Sequence, residues 1–168
     1  MDHYKSNNGP LQIEAGKSFE IFLNFPMQPR NPSFAEEIKQ SFAKQTIMAL
    51  IGAELSRVEP GVVEITLPYR PDLAQQHGYL HAGIVTTIAD SACGYAAYSL
   101  MPADSEVLSV EFKVNLLRPA KGATFLARAE VVKAGKTLTV VRADVFAVDH
   151  EGQRKLIATM LGTMICER

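Results

Sequence analysis

The stretch Ala82-Gly-Ile-Val-Thr-Thr-Ile-Ala-Asp-Ser-Ala-Cys-Gly-Tyr-Ala-Ala-Tyr-Ser-Leu-Met101 is apolar on nearly every side and rich in small residues. Its length predicts a helix, and a helix that is apolar all round has to be enclosed by the rest of the fold. After Pro102 the periodicity changes. Leu108, Val110, Phe112, Val114 and Leu116 alternate with Ser109, Glu111, Lys113 and Asn115, a period of two that a helix cannot produce. Turn signals at Pro119 to Gly122, Ala134-Gly135 and His150 to Gly152 then separate three more β-like runs, roughly Ala123 to Lys133, Thr137 to Val148 and Lys155 to Cys166. Short connections between successive strands predict an antiparallel meander. The expected architecture is α+β, a curved antiparallel sheet wrapped around one long central apolar helix.

Upstream, Ala53 to Val58 and Val62 to Leu67 flank Glu59-Pro60-Gly61, which reads as a hairpin. Ser33 followed by Glu36 is a capping-box signature, and Phe34, Ile38, Phe42, Ile47 and Leu50 continue it as one amphipathic helix from about Phe34 to Leu50. Pro10, Pro26, Pro29 and Pro32 break the periodicity of residues 1–32, which read as an N-terminal extension with a short strand at Phe19 to Phe25. Residues 33–168 form the single remaining domain.

A formal net charge of -1 offers no basic field to nucleic acid or anionic lipid, and a chain without tryptophan has few stacking platforms. Cys93 and Cys166 match no metal spacing and no disulfide framework, so both read as free thiols in a reducing compartment. The first ten residues lack the apolar core of a secretory signal, and no apolar run approaches the ~20 residues that span a bilayer. The chain is expected to be cytoplasmic, with no membrane or nucleic-acid partner, no metal and no cofactor.

The chemistry concentrates in Gln75-Gln76-His77-Gly78-Tyr79-Leu80-His81-Ala82-Gly83 and in Asp90. An ionised carboxylate in an apolar interior is costly unless paired or hydrogen-bonded, and functional sites collect such groups. The plainer alternative for Asp90 is a hydrogen bond from helix to sheet. Ala82 and Gly83 stand where the helix begins, so their N–H groups lack internal partners and carry the positive end of its dipole. Such a terminus can polarise a thioester carbonyl and hold the oxyanion that forms on attack. His81 is either part of that site or a simple helix cap. At 1.5 Å rise per residue Asp90 lies ~12 Å along the helix from Ala82, too far for one carbonyl to touch both. If they share a substrate they come from different subunits, in a two-fold dimer with composite active sites.

The run His77-Gly78-Tyr79-Leu80-His81-Ala82-Gly83, followed by Ala89-Asp90-Ser91-Ala92 and Gly94, resembles the HGxxHGG signature and downstream carboxylate of the PaaI-type (4-hydroxybenzoyl-CoA thioesterase-like) hotdog thioesterases. Ser109-Val110-Glu111-Phe112-Lys113-Val114-Asn115 and Arg118-Pro119-Ala120 resemble that family too, over roughly Ala53 to Ile165. The resemblance implies hydrolysis of an acyl-CoA substrate by a homodimer or dimer of dimers. It implies Asp90 as general base or nucleophile, the N–H of Ala82, helped by Gly83, as oxyanion donor, and His81 beside it. Gln75 would contact the thioester or the water, and Ser109 would orient the water. Ala82 departs from the usual Gly, and its methyl narrows the approach. Two other hotdog activities fit less well: a hydratase or dehydratase, whose marker runs are absent, and a non-catalytic acyl-CoA-binding protein.

Overall fold

The computed structural model describes residues 27–167. The strand expected at Phe19 to Phe25 lies outside them, as does most of the extension expected over residues 1–32. Two helices, α1 (Phe34–Lys44) and α2 (Thr46–Ile51), precede the hairpin β1 (Glu54–Glu59) and β2 (Val62–Pro68). The long helix α3 (Ala82–Tyr98) follows, then β3 (Glu106–Leu116), β4 (Thr124–Ala134), β5 (Leu138–Val148) and β6 (Arg154–Glu167). The six strands form one antiparallel sheet in the order β1-β2-β4-β5-β6-β3, with α3 packed against it. This is the hotdog arrangement of the α+β class.

The core is the contact between the two. Val63, Ile65 and Leu67 of β2, Phe125 of β4, Val141 and Val145 of β5, and Met160 and Met164 of β6 are fully buried. They face Val85, Ile88, Ala89, Ala92, Cys93, Ala96 and Ala97 of α3. Burying each large side chain contributes about 1.5–3 kcal/mol. Alanines on both surfaces (Ala127, Ala129, Ala143 and Ala158 on the sheet) bring helix and strands close, which is why the small-residue stretch can be enclosed at all. The hairpin turn is tied to the far end of α3. Gly61 takes φ +76, and its N–H donates to Ser99 Oγ at 2.7 Å.

Three sequence expectations need correction. β4, β5 and β6 form a meander, but β3 does not join it beside β4; it pairs with β6 at the opposite edge. The link over residues 117–123 can reach about 23 Å extended, whereas three strand spacings need only about 14 Å. It is held on its way by Leu117 and Arg118 N–H bonds to Ile157 O and by Ala123 N–H to Val148 O. Second, the helix expected from Phe34 to Leu50 breaks at Gln45, whose φ −75, ψ 97 is extended. The break rotates the chain, burying Met48 and Ile51 and leaving Ile47 and Leu50 exposed. Ser33 caps α1 without a side-chain hydrogen bond, so the capping box does not form. Third, a bulge between Ser109 and Glu111 interrupts the alternation of β3, an edge strand. Leu108, Val110, Phe112 and Leu116 are 43–55% exposed in the single chain. Among the described residues no helix is long and apolar enough to cross a membrane.

Candidate active site

Residues 74–81 fold back on themselves before α3. Gln75 N–H donates to Tyr79 O at 2.8 Å, Gly78 N–H to Gln75 O at 2.9 Å, and Ala74 bridges Leu80. Gly78 supplies the positive φ the turn requires, and Tyr69 Oη donates to its carbonyl at 2.9 Å. The His77 N–H donates to the side-chain oxygen of Gln75, which leaves the Gln75 amide NH2 as its available donor. His77 itself is exposed.

The turn delivers His81 as the N-cap of α3, with φ −62 and ψ 136. Its Nδ1 accepts from the Gly83 N–H at 2.9 Å. This alters the expected donor set, because Gly83 N–H is committed to the cap and Ala82 N–H makes no hydrogen bond among the described residues. The His81 reading as cap is therefore realised, and it fixes the tautomer: with Nδ1 accepting, Nε2 carries any proton the neutral ring holds. Gln75 and Ala82 line a cavity of about 490 Å³ together with Tyr79, Leu116, Arg118 and Pro119. Arg118 is held there by donating to Leu156 O at 2.8 Å.

Asp90 stands two turns further along α3 and opens onto a different cavity, of about 570 Å³. It is half-buried rather than enclosed, because the face of α3 carrying Asp90, Ser91 and Gly94 is not covered by the sheet. Ser109 on β3 donates to Asp90 Oδ1 at 2.7 Å, which fixes the carboxylate from across the sheet edge. Burial, and then the Asp90 charge, push the neighbouring Cys93 thiol up to about 12. Cys166 is free and half-buried.

The site residues thus divide into two groups in one chain: Asp90 with Ser109, and Ala82 with Gln75 and His81. One wall of the Asp90 cavity comes from residues before β1 whose role the sequence did not signal. Glu37 and Ser41 on α1, with Gln45 just beyond its end, face Ser91, Tyr95 and Tyr98 on α3. Their polarity reads as an ordinary solvated helix face until the break at Gln45 turns that side chain toward α3.

A family model described as the Thioesterase superfamily matches residues 77–152. Among solved structures, a thioesterase family protein of Silicibacter pomeroyi is 52% identical with a TM-score of 0.78, over 80% of this chain and 98% of that one. The E. coli PaaI protein of the phenylacetic acid degradation operon shares the fold at a TM-score of 0.71 and 19% identity, over 81% of this chain and 94% of that one. A candidate esterase of Saccharolobus solfataricus is 32% identical over 79% of this chain and 85% of its own length. A 1,4-dihydroxy-2-naphthoyl-CoA hydrolase of Listeria monocytogenes is 30% identical over 54% of this chain and 73% of its own.

Proposed function

This chain belongs to the thioesterase superfamily, and from that premise we propose that it hydrolyses an acyl-CoA thioester at a site shared by two copies of itself. The observation that carries the reading is the carboxylate of Asp90, held by Ser109 at 2.7 Å in the wall of a cavity of acyl-group size. The CoA hydrolase among its relatives supports a CoA ester as the substrate.

In this mechanism water attacks the thioester carbonyl carbon while Asp90 takes its proton. Ser109, whose proton is committed to Asp90, accepts from that water through a free lone pair. The tetrahedral oxyanion is held by the Ala82 N–H at the positive end of α3, and the Gln75 amide lies beside it. As the C–S bond breaks, the proton on Asp90 passes to the departing CoA sulfur, giving free acid and CoA. Direct attack by Asp90 through a mixed anhydride uses the same groups.

In this reading the site takes a second copy of the chain, because Asp90 and Ala82 would act on one carbonyl yet line different cavities, about 12 Å apart along one helix. Among the described residues β3 is an edge strand, and its exposed Leu108, Val110, Phe112 and Leu116 support the second copy as its occupant, since β3 also carries Ser109. Thiol release from a panel of acyl-CoAs tests the proposal. Release that Asp90→Asn abolishes supports it, and a folded dimer silent across the panel overturns it.

A further inference from the structure

Helix α1 and the break at Gln45 take no part in the chemistry assigned above, yet they wall one side of the Asp90 cavity. α1 runs antiparallel to α3, because Glu37 meets Tyr98, Ser41 meets Tyr95 and Gln45 meets Ser91. Along either helix that contact extends about 10–12 Å. α1 therefore lies along the face of α3 that the sheet leaves uncovered, the face that carries Asp90.

Polar side chains make most of the contact. Tyr98 Oη donates to Glu37 Oε2 at 3.1 Å, and Ser41 and Tyr95 share a hydrogen bond of 3.2 Å. Gln45 Nε2 donates to Tyr95 Oη at 2.9 Å, and Ser91 donates to Gln45 Oε1 at 3.3 Å. Water can replace each of these bonds, so each favours the closed arrangement by only about fivefold. Ile38 is the one fully buried side chain of α1, whereas eight side chains of α3 are buried. An element with so few buried apolar contacts opens far more readily than the core.

The joints on either side suit such a motion. Gln45, with φ −75 and ψ 97, interrupts the helix, and α2 beyond it is pinned by the buried Met48 and Ile51. At the other end no side chain caps α1, and the Ser33 N–H bonds within its own turn to Asn31 Oδ1 at 2.9 Å. A few non-helical residues at the ends of an element are what a hinge requires.

We propose that α1 is a hinged cover over the Asp90 cavity, turning at Gln45 and latched to α3 by Glu37, Ser41 and Gln45, which opens to admit the acyl group and closes to keep bulk water from it. The group it admits rests on the acyl-CoA reading above; the hinge and latches do not.

Hydrogen exchange of the full chain, read by mass spectrometry, tests it. A helix of eleven residues frays once detached, so each opening exposes its amides. After correction for intrinsic rates, the amides of α1 should exchange at least about tenfold faster than those of α3. Tyr95→Phe removes two latches and keeps the ring packed on Phe42 at 5.9 Å between centroids. It should speed α1 by about fivefold or more and leave β5 unchanged. Tyr98→Phe, which removes the Glu37 latch, serves if Tyr95→Phe does not fold. In Asp90→Asn, saturating octanoyl-CoA should slow α1 by about fivefold or more, since a ligand beneath the cover favours the closed state. Exchange of α1 in step with α3 overturns the proposal, as does exchange that removing a latch leaves unchanged. Octanoyl-CoA that binds by calorimetry without slowing α1 overturns it too. Absence of both binding and thiol release overturns the acyl-CoA reading alone, and the comparison in the free chain then decides the cover.

Discussion

Ser109 Oγ donates to Asp90 Oδ1 at 2.7 Å, joining the edge strand β3 to the middle of the central helix. The two residues are far apart in sequence, and the contact exists because β3 closes the sheet beside β6, opposite the hairpin. The bulge after Ser109 keeps its hydroxyl toward α3, with Met164 at 3.4 Å on its other side. A carboxylate so held has one oxygen fixed and the other free to face a water.

Asp90→Asn keeps the shape and the Ser109 contact but cannot accept a proton. It should lower kcat by about 10²- to 10⁴-fold with little change in KM. Ser109→Ala removes a hydrogen bond to a charged group and should cost about ten- to a hundredfold. Steady-state thiol release with an unchanged thermal midpoint is the measurement. If Ser109→Ala loses more than Asp90→Asn, the roles are reversed.

The Cys93 thiol gives a pH dependence of stability. Burial, and then the charge of Asp90, raise it from the ordinary 9.0 to about 12. Between those values the unfolded chain has lost a proton that the folded chain keeps, so stability falls as pH rises. The contribution is fully present below pH 9, and its slope above approaches about 1.4 kcal/mol per pH unit. Tyr95 and Tyr98, raised from 10.0, act with the same sign at higher pH. Urea midpoints from about pH 8 to 10 should fall more steeply in wild type than in Cys93→Ala. Parallel curves would mean that the thiol ionises alike in both states.

The central helix was legible because the Ala82 to Met101 stretch is apolar on every side, a pattern with few other outcomes. The hairpin at Pro60-Gly61 and the meander of β4 to β6 followed from local turn chemistry. Most of what failed was non-local. The β3–β6 pairing brings together Ser109 and Met164, and nothing in either segment encodes that choice of neighbour. The break at Gln45 has no Gly or Pro to announce it, and is held by side-chain bonds to Tyr95 and Ser91. Gly83 was expected to offer an open N–H, and the preceding His81 takes it. The apolar alternation of Leu108 to Leu116 correctly marked a strand but not the exposure of its side chains in one chain.

That exposure has a consequence for assembly. Val110 sits at the bulge of the edge strand and is 54% exposed. A lysine there would add a charge to the sheet edge, the device that discourages edge pairing. Val110→Lys should sediment as a monomer while keeping its own fold. Its hydrolysis should fall by at least about 10²-fold, the cost of one missing oxyanion donor. A Val110→Lys monomer with full activity would place the whole site in one chain.

The proposed two-chain site can be separated into its halves. Ala82 is the first residue of α3, where proline is well tolerated, and His81 already has the extended φ −62, ψ 136 that a following proline demands. Ala82→Pro therefore removes the one N–H assigned to the oxyanion with little cost to the helix. It should reduce kcat by about 10²- to 10³-fold. Mixed with Asp90→Asn chains under conditions that let subunits exchange, it should regain activity. In each mixed dimer one site combines the intact Ala82 of one chain with the intact Asp90 of the other, and the second site carries both defects. Random exchange of equal amounts makes half of the dimers mixed, so recovery should approach a quarter of the wild-type rate, roughly, if association is unbiased. A mixture no more active than its components would show that Asp90 and Ala82 act within one chain, and the two-chain site would have to be abandoned.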